Sequence, residues 1–173
     1  MSALAQVAKA GVKGVDYLVD ALRNSKVGKM LSEDEYIAAI NPTGKRVTAA
    51  ERPNIYAADI EGMAPYDAMK VGGNFVDKTG AKVSILKDPS TGGLYAKVGG
   101  REAGYMTPLS VAEMDLAVAK EFQNRGIGSM LSTEFRRANP FAQSGGLTEA
   151  GENTARAAYR NIAKTTPNVL MSK

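Results

Sequence analysis

Residues 114–131, MDLAVAKEFQNRGIGSML, are the stretch on which the fold turns. Leu116, Ala117, Val118 and Ala119 make a short apolar run, and such a run predicts a buried strand. The chain then passes through Lys120, Glu121 and Phe122 into Gln123-Asn124-Arg125-Gly126-Ile127-Gly128-Ser129. After Gly128 a helical pattern begins, with Met130, Leu131 and Phe135 on one face and Glu134, Arg136 and Arg137 on the other. The first turn of a helix leaves backbone N–H groups unpaired and gathers partial positive charge, so a phosphate can sit there. Gly126 and Gly128 carry no Cβ, which lets ligand oxygens reach the backbone and makes positive φ available.

Working upstream, the chain reads as strands and turns from Phe75 onward. Lys82–Lys87 alternates, residues 88–93 (DPSTGG) form a turn cluster, and Leu94–Val98 is a second strand. Gly99-Gly100 makes a tight turn into a strand over 101–107, and Pro108 opens the loop before 114–119. Downstream, Asn139-Pro140 ends the helix, 141–146 is a strand or extended segment, and a last helix covers 152–164. The tail holds at most one short strand, at 169–171.

The pattern Gln123-x-x-Gly126-x-Gly128 after a strand resembles motif A of the GNAT acetyltransferase superfamily. Residues 95–106 (YAKVGGREAGYM) are similar to the family's hairpin before that motif. Glu152-x-x-Ala155-x-x-Ala158-Tyr159 resembles its later helix, with Glu in place of the family's Asn. The resemblance covers about residues 81–164. It implies an α/β (α+β) fold, a mixed and mainly antiparallel sheet flanked by helices, here carrying an N-terminal helical extension. It also implies acetyl-CoA as cofactor. Gln123, Asn124, Arg125, Gly126, Ile127, Gly128 and Ser129 would hold its pyrophosphate, and the strand at Leu116 and Val118 would hydrogen-bond its pantetheine arm. Tyr159 matches the family's general acid, and Glu113 and Asp115 flank the fourth strand, where the family often has a basic glutamate. A tyrosine at 159 equally suits helix packing, and the two carboxylates equally suit a solvated surface. Two features depart from the family. Two further strands normally close its sheet, and its first helices lie between its first two strands, whereas here a helical region precedes all strands.

Composition bounds the chemistry. The chain of 173 residues has no cysteine and no histidine. Cys or His nucleophiles, Ser-His-Asp triads and thiolate or imidazole metal sites are therefore excluded within it, and no metal is expected. Acid–base work falls to Asp, Glu, Tyr, Lys, a terminus or water. A net charge of +4 without a basic run fits an anionic cofactor or weak nucleic-acid contact and demands neither, and a nucleic-acid partner is not expected. No apolar segment is long enough to span a bilayer, and neither disulfides nor a signal-like layout argues for secretion. A cytoplasmic location follows, with a virion as the alternative.

The first 73 residues have no counterpart in the resemblance and are expected to form a helical extension or arm, with residues 74–173 as the GNAT-like domain. Residues 3–23 carry apolar positions at helical spacing. Ser32 looks like an N-cap followed by Glu33, Asp34 and Glu35 in a first turn, and the helix should stop before Pro42. Residues 41–73 are punctuated by proline and glycine and lack periodicity. Asp77-Lys78-Thr79-Gly80 spells the phosphorylation motif of P-type ATPases, but a hairpin turn explains it without the other parts that chemistry needs. Two functions stand against each other. One is an acyl-CoA-dependent N-acetyltransferase. The other is a structural or assembly component, such as a phage virion protein, that uses residues 1–73 to self-associate or bind a protein partner.

Overall fold

The structure is a computed structural model and describes residues 29–48, 60–108, 114–144 and 146–171. The expected helix over 3–23 and the candidate base Glu113 lie outside the described residues.

The architecture is a six-stranded antiparallel sheet flanked by helices. Strands β1 (Met69–Lys70) and β2 (Phe75–Val76) pair with opposite ends of the same edge of β3 (Lys82–Lys87). The sheet then runs in chain order through β4 (Leu94–Val98), β5 (Arg101–Pro108) and β6 (Met114–Val118). Alternation places Val83 and Ile85 of β3 in the core. Asp88 organises the β3–β4 turn by accepting from the Ser90 N–H at 2.9 Å and the Thr91 hydroxyl at 2.9 Å. Gly99 and Gly100, at φ 58° and 79°, make the two-residue turn between β4 and β5. In β5, Ala103 is an extra residue, since Ala96 faces Gly104 while Lys97 faces Glu102. At Gly104 a Cβ would stand 2.7 Å from the Ala117 carbonyl oxygen, so no larger residue fits that strand crossing.

Among the described residues three α-helices accompany the sheet. Helix α1 (Glu33–Ile40) has a complete capping box between Ser32 and Glu35 and ends at Asn41, before Pro42. Helix α2 (Ile127–Ala138) lays Ile127, Leu131 and Phe135, spaced by four, on β4, β5 and β6. Burying each such side chain contributes about 1.5–3 kcal/mol. Helix α3 (Glu149–Thr165) begins at Thr148, whose hydroxyl accepts from the Gly151 N–H at 3.0 Å. It starts three residues earlier than its apolar spacing alone indicates.

A second core lies between α1 and α3. Tyr36, Ile40, Ala155, Tyr159, Ile162 and Leu170 are buried together there. Arg156 joins the two helices by pairing with Glu33 at 3.1 Å, Asp34 at 2.8 Å and Glu152 at 3.0 Å. The segment before β1 is also tied down. Ile60 is buried in the sheet core, and the Glu102 carboxylate accepts from the Met63 and Ala64 N–H groups at 3.0 and 2.9 Å. The tail differs from its expected strand. Pro167–Leu170 is a 3-10 helix, as the fixed φ of Pro167 favours at a helix start, and Met171 makes a single bridge to Met30. Among the described residues of 141–147 only isolated bridges form, Leu147 pairing in parallel with Arg46.

Candidate functional site

β6 is the last strand of the sheet, and its outer edge borders a cleft of about 1040 Å³. The Ala119 N–H bonds the Ala103 carbonyl on β5 at 2.8 Å, so alternation turns the N–H and C=O of Leu116 and Val118 the other way, toward the cleft. The α2 start closes one end, the α3 start forms the facing wall, and Arg46, Val47 and Thr48 complete it.

The turn from β6 to α2 is built by side chains already engaged elsewhere. After the 3-10 turn Lys120–Phe122, the Gln123 side-chain amide donates to the Val118 carbonyl at 3.0 Å. Asn124 and Gly126 take positive φ, 60° and 88°, which folds the chain back sharply into α2. Arg125 points out of the turn. Its guanidinium bonds Asp77 through Nε at 2.8 Å and Nη2 at 2.7 Å, and lies 5.1 Å from the Phe122 ring centroid. The Lys78 N–H returns a bond to the Arg125 carbonyl at 2.9 Å.

Asp77 is thereby the post on which the turn stands. It also accepts from the Thr79 hydroxyl at 2.6 Å and from the Thr79 and Ala81 N–H groups at 2.8 and 3.0 Å. The Thr79 hydroxyl above all, with Arg125 and the two backbone donors, holds its carboxyl at about 2 against the opposing effect of burial. The DKTG stretch is a hairpin turn, as its residue types predict, closed by the Gly80 N–H on the Asp77 carbonyl at 3.1 Å.

With Gly126 as N-cap, no side chain caps α2. The N–H groups of Ile127, Gly128 and Ser129 begin the helix without intrahelical acceptors, and all three residues line the cleft. Lys78 lies over this turn, its Cε 3.7 Å from where a Gly126 Cβ would be. Among the described residues its ammonium makes no ion pair. Glycine therefore leaves space between a helix N-terminus and a cation, which is an arrangement suited to phosphate.

The structure brings Leu116, Val118, Gln123, Asn124, Gly126, Ile127, Gly128 and Ser129 together on the cleft, with Asp115 on the same wall. Asp115 accepts the Tyr105 hydroxyl at 2.9 Å, and burial, followed by that bond and the Asp115 charge, raises the Tyr105 phenol far above its ordinary value. Arg125 stands apart from the cleft lining as a brace. Tyr159 is not brought to the cleft either. It is 7% exposed, sits in the second core, and donates its O–H to the Leu31 carbonyl. Burial raises its pKa. Sequence reasoning missed Lys78, which reaches the site through the Asp77–Arg125 brace, and Asn153 and Thr154, which enter from α3.

No family model, curated protein or solved structure matches this chain. Among the described residues no helix is long and apolar enough to cross a membrane, and no group of His, Cys, Asp and Glu could hold a metal ion.

Proposed function

We propose that the cleft binds an acyl-CoA and that the protein transfers the acyl group to an amine, as the GNAT resemblance implies. The observation that supports this reading is the uncapped α2 start, with Lys78 above it, opening onto the outer edge of β6. Those parts suit the group they would hold. The N–H groups of Ile127, Gly128 and Ser129 with Lys78 would take the pyrophosphate, and the outward N–H of Val118 and carbonyl of Leu116 would pair with the pantetheine amides. A bound acyl-CoA supplies a thioester carbonyl open to attack by an amine.

Asp115 is the residue placed to take the proton of an incoming ammonium, and the Tyr105 hydroxyl fixes the orientation of its carboxylate. The Leu116 N–H, turned into the cleft, is a backbone donor suited to a developing oxyanion. Titrating the protein with CoA while following thermal unfolding tests the reading. Binding should stabilise the fold by about 2.7 kcal/mol at 100 times the dissociation constant. A melting curve indifferent to CoA and acetyl-CoA removes it.

A non-catalytic assembly role, in a virion for example, is the second reading. It is favoured by Met63, Tyr66, Met69 and Val76, which are exposed on and before the β1–β2 edge. Size-exclusion chromatography separates the two, since an assembly module elutes as a large species and a free cytoplasmic enzyme as a small one.

A further inference from the structure

We infer that the end of the cleft remote from Gly126 is a carboxylate site centred on Arg136. This deepens the acyl-CoA reading and rests on it for the identity of the molecule that brings the carboxylate.

Arg136 is 2% exposed, the largest of the most deeply buried side chains. Every other described arginine meets a carboxylate: Arg46 and Glu152, Arg101 and Glu121, Arg125 and Asp77, Arg137 and Glu134, Arg156 and Asp34, Arg160 and Glu33. Arg136 does not. Its Nη1 donates to the Ala142 carbonyl at 3.0 Å, its Nη2 approaches the Met114 sulfur at 3.6 Å, and the Tyr36 hydroxyl lies against the guanidinium, all neutral partners. Its Nε is buried without any partner. Burial strips a guanidinium of water, and neutral partners with one donor idle do not restore what is lost. Such a group in a cleft wall is a marker of a site completed by a ligand.

The position fits. Ser129, Ser132 and Arg136 all line the cleft, and their spacing puts them on one face of α2 beside the β6 edge. Nine helical steps separate Ile127 from Arg136, about 14 Å at 1.5 Å per residue. Phosphate donors thus stand at one end of the cleft and an unpaired guanidinium at the other. A pantetheine arm laid along Val118 and Leu116 would carry its thioester from the first toward the second. The carboxylate then belongs either to the acyl group, as in a dicarboxylic acyl thioester, or to the acceptor, as in an amino acid. Arginine suits both, because its fork binds a carboxylate through two parallel bonds.

The full chain is tested by two readouts. In the first, binding of succinyl-CoA is compared with acetyl-CoA, and binding of glutamate and glycine with ethylamine. A preference of about tenfold or more for the carboxylate-bearing member is expected in one arm, as a charged hydrogen-bonded pair requires. The arm that shows it says which molecule carries the group, and Arg136→Met abolishes the preference. In the second, the Nε–H resonance of Arg136 is assigned by its loss in Arg136→Lys, or in Arg136→Met if the lysine variant does not fold. It is then followed during titration of the wild type with glutarate. It should move saturably, and not with glutaramide. The inference needs both a preference in one arm and the saturable movement, and the absence of either overturns it. If CoA itself does not bind, the acyl-CoA reading falls alone. The amino-acid arm and the glutarate titration, run without CoA, still decide Arg136.

Discussion

α2 and α3 border the same cleft and begin in opposite ways. α3 starts at Thr148, whose hydroxyl satisfies a first-turn N–H, and its apolar stripe is covered by α1 and the 3-10 tail. α2 starts at Gly126, with no side chain on its first-turn donors, and its stripe is covered by the sheet. α3 is self-sufficient at its N-terminus and depends on a distant helix for its core. α2 is fully embedded in the sheet and incomplete at its N-terminus. A helix start left open by its own sequence, at the mouth of a cleft, has its donors free for something else.

The largest effect should come from removing what covers α3. A fragment of residues 74–173 lacks Leu31, Tyr36, Ala39, Ile40 and Ile60, all at 3% exposure or less in the full chain. Truncating one large buried side chain costs about 2–5 kcal/mol, so losing these together exceeds the roughly 5–15 kcal/mol that holds a domain. Urea denaturation followed by circular dichroism should show no cooperative transition. A sharp transition would mean that α3 holds without α1, and the contrast with α2 would collapse.

Next comes the α2 start. Gly126→Asp places a carboxylate where phosphate oxygens are proposed to bind and forces a side chain onto φ 88°. The CoA-dependent gain of about 2.7 kcal/mol at 100 times the dissociation constant should vanish. Thr148→Ala is the matching change on α3. It should cost about 1 kcal/mol of stability and leave the CoA gain intact. Equal loss of the CoA gain in both variants would place the ligand across both helix starts.

How far these roles could be read from sequence depends on whether the partner is local. Strands β3 to β6 were legible because alternation and turn residues lie within a few positions of each other, and Ser32 with the acids after it forecast the α1 start in the same way, whereas the two-residue β1 falls in the aperiodic stretch 41–73. The destination of α1 was not legible. Helical spacing identifies the stripe Ala155, Tyr159 and Ile162, but its cover comes from a part of the chain 128 residues away at the Leu31–Tyr159 bond. Arg136 shows the same limit from the other side. By spacing it belongs to the polar face of α2, yet its partners on Met114 and Ala142 lie beyond the helix and enclose it. Arg125 sits inside a phosphate-turn pattern, and only the fold reveals that Asp77, 48 residues earlier, claims it.

Tyr159→Phe then sharpens the account of α3. The O–H lost is a buried donor to the Leu31 carbonyl, so the change should lower stability by about 1–3 kcal/mol. Acyl transfer per folded molecule, measured at saturating substrates, should be unchanged. Turnover that falls while stability stays constant would restore the tyrosine to chemistry.

The smallest effect separates the two helix starts by pH. The α2 start is anchored through Asp77 on Arg125, a charged post, whereas the α3 start is anchored by a neutral hydroxyl. The Asp77 carboxyl lies at about 2 in the folded protein against an ordinary 3.8, with the Thr79 hydroxyl as the main cause. A carboxyl whose folded pKa is depressed adds stability that is complete above its unfolded value. That addition shrinks as pH falls through 3.8 and is gone below about 2. Asp77→Asn removes this contribution, while other carboxylates such as Asp88, also depressed by hydrogen bonds, titrate in both proteins. Denaturant midpoints measured from pH 5 downward should therefore converge for wild type and Asp77→Asn as pH nears 2. Thr148→Ala should instead run parallel to wild type across the whole range, since no proton is involved in its loss. Parallel curves for Asp77→Asn would mean that the Arg125 brace is held by shape and not by charge. Convergence would show that the glycine turn, and with it the open end of α2, stands on a single ionised side chain.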